Sequence, residues 1–129
     1  MRLMAIDYGS KRVGIASTDS TGGFALPRLV LPNNDELLQK VLEFKMKEGI
    51  EKVVMGESKN LDGRPNMIME EARKFKKRLE ESGVEVVWHP EVFTTMEARQ
   101  IQGSNDLTDA SAAAIILKSF LDSTQNSHV

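Results

Sequence analysis

An aspartate closes the first apolar run of this chain. In "RLMAIDYGSKRVGIASTD" the residues Leu3 to Ile6 carry no polar side chain, and Asp7 follows directly. A strand buried on both faces has no structural need of a carboxylate at its end. Two further acids stand in comparable places. Glu91 comes just past the apolar run "VEVVWH", and Asp109 follows Thr108 where a helical spacing begins. Three carboxylates with open coordination positions suit Mg²⁺ or Mn²⁺, hard cations that prefer oxygen ligands and keep several waters. Two such ions about 4 Å apart can activate a water and stabilise the leaving oxygen of a phosphodiester. The chemistry these residues point to is hydrolysis of a nucleic-acid backbone without a protein nucleophile. Each acid also has a structural use: Asp7 as a turn cap, Glu91 as a solvated loop residue, and Asp109 at the positive end of a helix.

Whether the acids meet depends on the elements that carry them. "RLMAIDYG", "RVGIASTD" and "GGFALPRLVL" read as three strands joined by short turns, an antiparallel meander. Pro27 places the third at an edge, because proline cannot donate to a ladder. The period then changes. Leu37, Leu38, Val41, Leu42 and Phe44 have helical spacing between Asp35 and Glu48, with Asn34 or Asp35 as cap and Gly49 as stop. "EKVVMG" is a strand, "SKNLDGRPN" a loop, and Asn66 to Ser82 a helix ended by Gly83. "VEVVWH" is the last strand. Thr94 and Glu97 have the spacing of a capping box for a short helix, and a final helix runs from Asp109 to Leu121. The order βββαβαβαα predicts an α/β fold: a mixed five-stranded sheet, meander plus parallel strands, flanked by helices. In such a sheet, sites form beyond the carboxyl ends of the parallel strands. Asp7 and Glu91 then share one edge, and the last helix can bring Asp109 back to it.

Composition sets limits on this reading. With 129 residues, 40% of them apolar, the chain can form one domain with a real core, expected over 1–122, followed by a polar tail over 123–129 that frays. No apolar run approaches a membrane span, and no secretion signal is visible. Cysteine is absent, which excludes thiolate metal sites and cysteine nucleophiles and fits the cytoplasm. A net charge of −2 means that any nucleic-acid contact must concentrate its cations locally.

"DYGSKRVGIASTD" resembles the signature of the YqgF/RuvX family, the pre-16S rRNA nucleases also described as RuvC-like Holliday junction resolvases. Three more segments in the same order are similar to that family: "VVMGESKNLDGRPN", "EVFTTMEAR" and "TDASAAAIILKSFL". The likeness runs through nearly the whole chain. It implies a ribonuclease H-like fold, and it implies that Asp7, Glu91 and Asp109 are the catalytic, metal-binding acids. It implies further that Lys11 and Arg12 lie beside the cleft to position phosphate, and that Gly9 and Gly14 allow close backbone approach. The expected partner is precursor 16S rRNA, matured at its 5′ end, with ribosomal particles nearby. Branched DNA is the alternative on the same chemistry, and a resolvase should then be a two-fold homodimer rather than a monomer. The chain departs from the family's pattern at Pro90 and Val92, which flank Glu91, and at Glu57 and Ser58.

Other features have plainer readings. The cations of "EEARKFKKRLEE" alternate with acids at spacings of three and four, as on a solvated face. His89 could act as an acid or base, but reads better as a strand terminus. Trp88 and Phe93 could stack on bases, but read better as core. Two rivals from other classes remain: a binding module with an inactive site, motivated by "PEVF" and Glu57, and a phosphotransferase, for which the chain is short.

Overall fold

The computed structural model describes residues 1–57, 67–90 and 106–126, with backbone alone at 67, 106–109 and 125–126. The described chain orders as β1 (Leu3–Tyr8), β2 (Arg12–Thr18), β3 (Ala25–Pro32), α1 (Leu37–Glu48), β4 (Lys52–Glu57), α2 (Met67–Glu81), β5 (Val86–Pro90) and α3 (Asp106–Asn126). The strands form one sheet in the order β3-β2-β1-β4-β5. β1 is central. It pairs antiparallel with β2 and parallel with β4, and β4 pairs parallel with β5. This is the mixed sheet expected from the sequence. The short helix expected after Thr94 lies outside the described residues.

The sheet is covered on both faces, which is why β1 reads as an unbroken apolar run. Met4, Ile6, Val13, Ile15, Val53 and Met55 point to α1 and α2 and pack with Val41, Phe75 and Leu79. Leu3, Ala5, Ala16 and Val54 point the other way, to Ala113, Ile116, Leu117 and Leu121 of α3. The alanines on this second interface let α3 lie close against the strands. β3 is an edge strand as Pro27 requires, and Pro27 pairs with Ala16 where the register shifts beside Ile15. α1 starts at Leu37, after the Asn34 side chain accepts a hydrogen bond from the Glu36 N–H at 3.0 Å, and it stops at Gly49 in a left-handed conformation, φ 65°.

α3 continues through the polar residues 123–126. The Ser123 and Thr124 hydroxyls donate to the Phe120 and Leu121 carbonyls at 2.9 and 3.0 Å. Such back-bonding satisfies polar side chains within the last turns. No described helix is long and apolar enough to cross a membrane.

Candidate active site

Asp7 is the one buried carboxylate among the described residues, 3% exposed. Side chains alternate along β1, and Leu3 and Ala5 face α3, so Asp7 belongs to the α3 face at the carboxyl end of the central strand. Its partner on β2 is Gly14. On β4, one step beyond the Ile6–Met55 pair, the level residue is Gly56, which in turn pairs with His89 of β5. One row of the sheet therefore reads Gly14, Asp7, Gly56, His89. Both strand neighbours of Asp7 are glycines, and both are buried. About 10 Å separates Asp7 from His89 at two strand spacings.

His89 closes the row. Its Nε2 lies 2.8 Å from the Ser119 hydroxyl of α3, and its ring meets Phe120 edge to face at a centroid distance of 5.7 Å. Burial holds its pKa below the usual histidine value, so the imidazole is neutral at physiological pH. Trp88 faces the opposite side, packed on the α1/α2 core with the Lys76 ammonium 5.9 Å from its ring. Both the core role expected of Trp88 and the solvated face of α2 hold in part: Lys76 also pairs with Glu80 at 2.8 Å.

The turn after Asp7 is held by an interaction the sequence does not advertise. The Asn33 side chain donates to the Gly9 carbonyl at 2.7 Å, and the Asn33 N–H donates to the Lys11 carbonyl at 2.9 Å. Gly9 is required by space: a Cβ there would stand 2.5 Å from the Arg12 carbonyl oxygen. Lys11 is exposed and Arg12 half-buried on this turn. Nothing in the sequence except a polar residue at a strand end singles out Asn33.

Glu91 lies outside the described residues, but β5 ends at Pro90, directly before it and level with Glu57. The strand therefore delivers the chain to the edge that holds Asp7. Position 109 lies in the first turn of α3, one turn before Ala113. Among the described residues no three acids or histidines form a metal-sized cluster. Only Asp7 of the three expected ligands has a described side chain.

A family model described as "RuvX: Holliday junction resolvase" matches residues 1–123. The chain belongs to the RuvX family. Relatives named pre-16S rRNA nuclease include one from Desulforudis audaxviator, 34% identical over 139 residues and covering 98% of this chain and 97% of its own. Another, from Lawsonia intracellularis, is 31% identical and covers 100% and 99%. Among solved structures, T. thermophilus RuvC in complex with Holliday junction substrate aligns with a TM-score of 0.64 at 19% identity, over 97% of this chain and 96% of that one. The RuvX chain thus has the RuvC-like, ribonuclease H-like fold. Its departure at Glu57 is now placed. Strand alternation puts Glu57 with Val53 and Met55, on the face of α1 and α2, away from the Asp7 row.

Proposed function

We propose that this RuvX chain is a divalent-metal-dependent nuclease that hydrolyses phosphodiester bonds in the 5′-end maturation of precursor 16S rRNA in the cytoplasm. The observation that carries the reading is Asp7: a buried carboxylate on a glycine-flanked row, at the strand edge from which the chain continues to Glu91. The residues fit Mg²⁺ or Mn²⁺. The donors are hard oxygens, and the strand neighbours of Asp7, Gly14 and Gly56, bring no side chain of their own to it. Asp7, Glu91 and Asp109 are the proposed ligands. When bound, such an ion supplies charge neutralisation at the phosphate and a more acidic water.

The chain's own residues do the rest. Asp7 is held rigidly by a strand buried on both faces, which fixes the metal site without reorganisation. The turn braced by Asn33 presents Lys11 and Arg12 to the phosphate backbone, where they set position rather than sequence. Gly9 keeps that turn tight. Ribosomal particles would present the RNA, and the chain would act as a monomer or homodimer.

Holliday junction resolution is the second reading, favoured by the RuvC-like fold. It requires two sites related by a two-fold axis. One cleavage assay separates the readings. Labelled precursor rRNA, single-stranded RNA and a four-way DNA junction are incubated in parallel with Mg²⁺ or Mn²⁺. Asp7→Asn, purified identically, is the control. Metal-dependent cutting of precursor rRNA, lost by at least about 100-fold in Asp7→Asn, is the expected result. Preferred cutting of the junction by a dimer would favour the second reading. No cutting in any lane, together with no Asp7-dependent Mn²⁺ binding, would leave a nucleic-acid-binding module.

A further inference from the structure

We propose that Pro27 and Pro32 seal the free edge of the sheet, so that β3 does not pair with the β3 of a second copy of this chain. The proposal does not rest on the nuclease reading. Among the described residues β3 pairs with β2 alone, and at eight residues it is the longest strand of the sheet. Leu26, Pro27, Arg28 and Pro32 are exposed, as is Phe24 just before the strand. A long, exposed, apolar edge is a template for another strand. Charge, a common safeguard, is weak here. Arg28 is the one charged residue of β3, and it is turned onto its own fold: its guanidinium donates to the Ser17 hydroxyl at 2.9 Å and pairs with Glu48 at 2.6 Å.

The register shows where the prolines act. Along an antiparallel pair, residues that bond across to the partner alternate with residues whose N–H and C=O point away from it. The Asp19 N–H donates to the Phe24 carbonyl at 2.9 Å, and the Asn33 N–H donates to the Lys11 carbonyl at 2.9 Å. These two bonds fix the alternation at both ends of β3. Leu26, Leu29 and Leu31, opposite Ser17, Ile15 and Val13, then bond to β2. Ala25, Pro27, Val30 and Pro32, opposite Thr18, Ala16, Gly14 and Arg12, point outward. The register shift beside Ile15 absorbs Arg28 as the extra residue, so the alternation along β2 is unbroken. Both prolines of the strand therefore fall on the outward set. There they cost the fold no ladder bond. They remove two of the four outward donors, and each puts a ring where an incoming carbonyl would dock. No two consecutive outward positions keep a donor, so a second strand finds no continuous row to bond. In a two-fold pairing both copies would carry the same gaps.

The test uses the full chain with Pro27→Thr, Pro32→Thr and the double variant. Threonine restores the N–H, suits a strand and adds little apolar surface. Association is measured by sedimentation velocity over a concentration series, and backbone pairing by hydrogen exchange at the Ala25 and Val30 amides. In wild type both amides should exchange fast at every concentration. The double variant should associate at least about 10-fold more tightly than wild type, as two restored backbone hydrogen bonds in each copy require. Its Ala25 and Val30 amides should become protected as concentration rises and exchange again on dilution. Each single variant should fall between. Circular dichroism checks that the variants fold, and Pro32→Thr, at the end of the strand, carries the test alone if the double variant does not. A folded double variant that sediments as wild type does overturns the proposal. So does association that leaves both amides exchanging, since the contact would then be made by exposed side chains such as Phe24 and Leu26. Protection of the two amides in concentrated wild type overturns it as well, because the edge would be open despite its prolines. A wild-type dimer whose Ala25 and Val30 amides exchange freely supports it: the two-fold contact that junction cleavage requires is then built on another face.

Discussion

Gly9 shows how little freedom the residues around Asp7 have. With a Cβ placed 2.5 Å from a backbone oxygen, Gly9→Ala cannot be absorbed by a flexible side chain, and the turn itself must shift. The expected result is a loss of about 1–3 kcal/mol in chemical denaturation, in line with other overpacked sites. KM for nucleic acid should rise as well, because Lys11 and Arg12 ride on the displaced turn. Asn33→Ala should raise KM with a smaller loss of stability, since only the bond from its side chain disappears. At this scale Asp7 is legible from sequence, because a carboxylate ending an apolar run is conspicuous. Its glycine neighbours are not. Gly14 and Gly56 become its neighbours only through strand register, and two strands must pair before that register exists. His89 is visible as a titratable residue near a strand end, but its partner lies thirty residues away on a helix.

α3 covers the face of the sheet that holds Asp7, and position 109 lies in its first turn. Leu117 is fully buried against the sheet. Leu117→Ala should cost about 2–5 kcal/mol in urea unfolding, as other large-to-small core changes do. A sharper probe is Ala113, also fully buried and one turn after position 109. Ala113→Leu should lift the start of α3 from the strands, costing about 1–3 kcal/mol. Mn²⁺ affinity should fall in that variant by more than in Leu117→Ala, whose cavity lies a full turn farther along the helix. Equal affinities in the two would show that the start of α3 does not set the site. The helix is readable in the sequence from its alanine and isoleucine spacing. Its continuation through "DSTQN" is less so, because those residues are polar and the bonds from the Ser123 and Thr124 hydroxyls back to the helix exist only once its turns have formed. The strand order needed no such detail: a run of three short-linked strands followed by alternating helices leaves few ways to build one sheet.

At the scale of the whole molecule, the two ends of the sheet differ. The carboxyl end of β1 carries Asp7, while the opposite end is tied by a charged network. Arg2 of the N-terminal segment donates to the Glu48 carbonyl at 2.6 Å and to the Thr18 carbonyl at 3.0 Å. Arg28 of β3 donates to the Ser17 hydroxyl at 2.9 Å and pairs with the Glu48 carboxylate at 2.6 Å. Glu48 thereby joins the last turn of α1 to β3 through its carboxylate and to the start of the chain through its carbonyl, with the Arg2 guanidinium also 3.8 Å from the carboxylate. The Arg28 hydrogen bond holds the Glu48 pKa below the usual carboxylate range; burial opposes it as the next-largest effect, and the charges of Arg28, Arg2 and Lys47 each add a lesser lowering. A group with a lowered folded-state pKa stabilises the fold fully above its unfolded value, about 4.3 for glutamate, and that contribution fades as pH falls through the depressed value. Glu48→Gln should therefore unfold more readily than wild type at neutral pH. The difference between their unfolding midpoints should shrink as pH falls into the acid range, where the wild-type carboxylate takes up its proton. Midpoints that stay equally far apart down to strong acid would mean that the charge on Glu48 is not what ties this end together. Because the network lies at the opposite end of β1 from Asp7, Mn²⁺ binding at neutral pH should survive the change, separating the stability of the sheet from the geometry of the site.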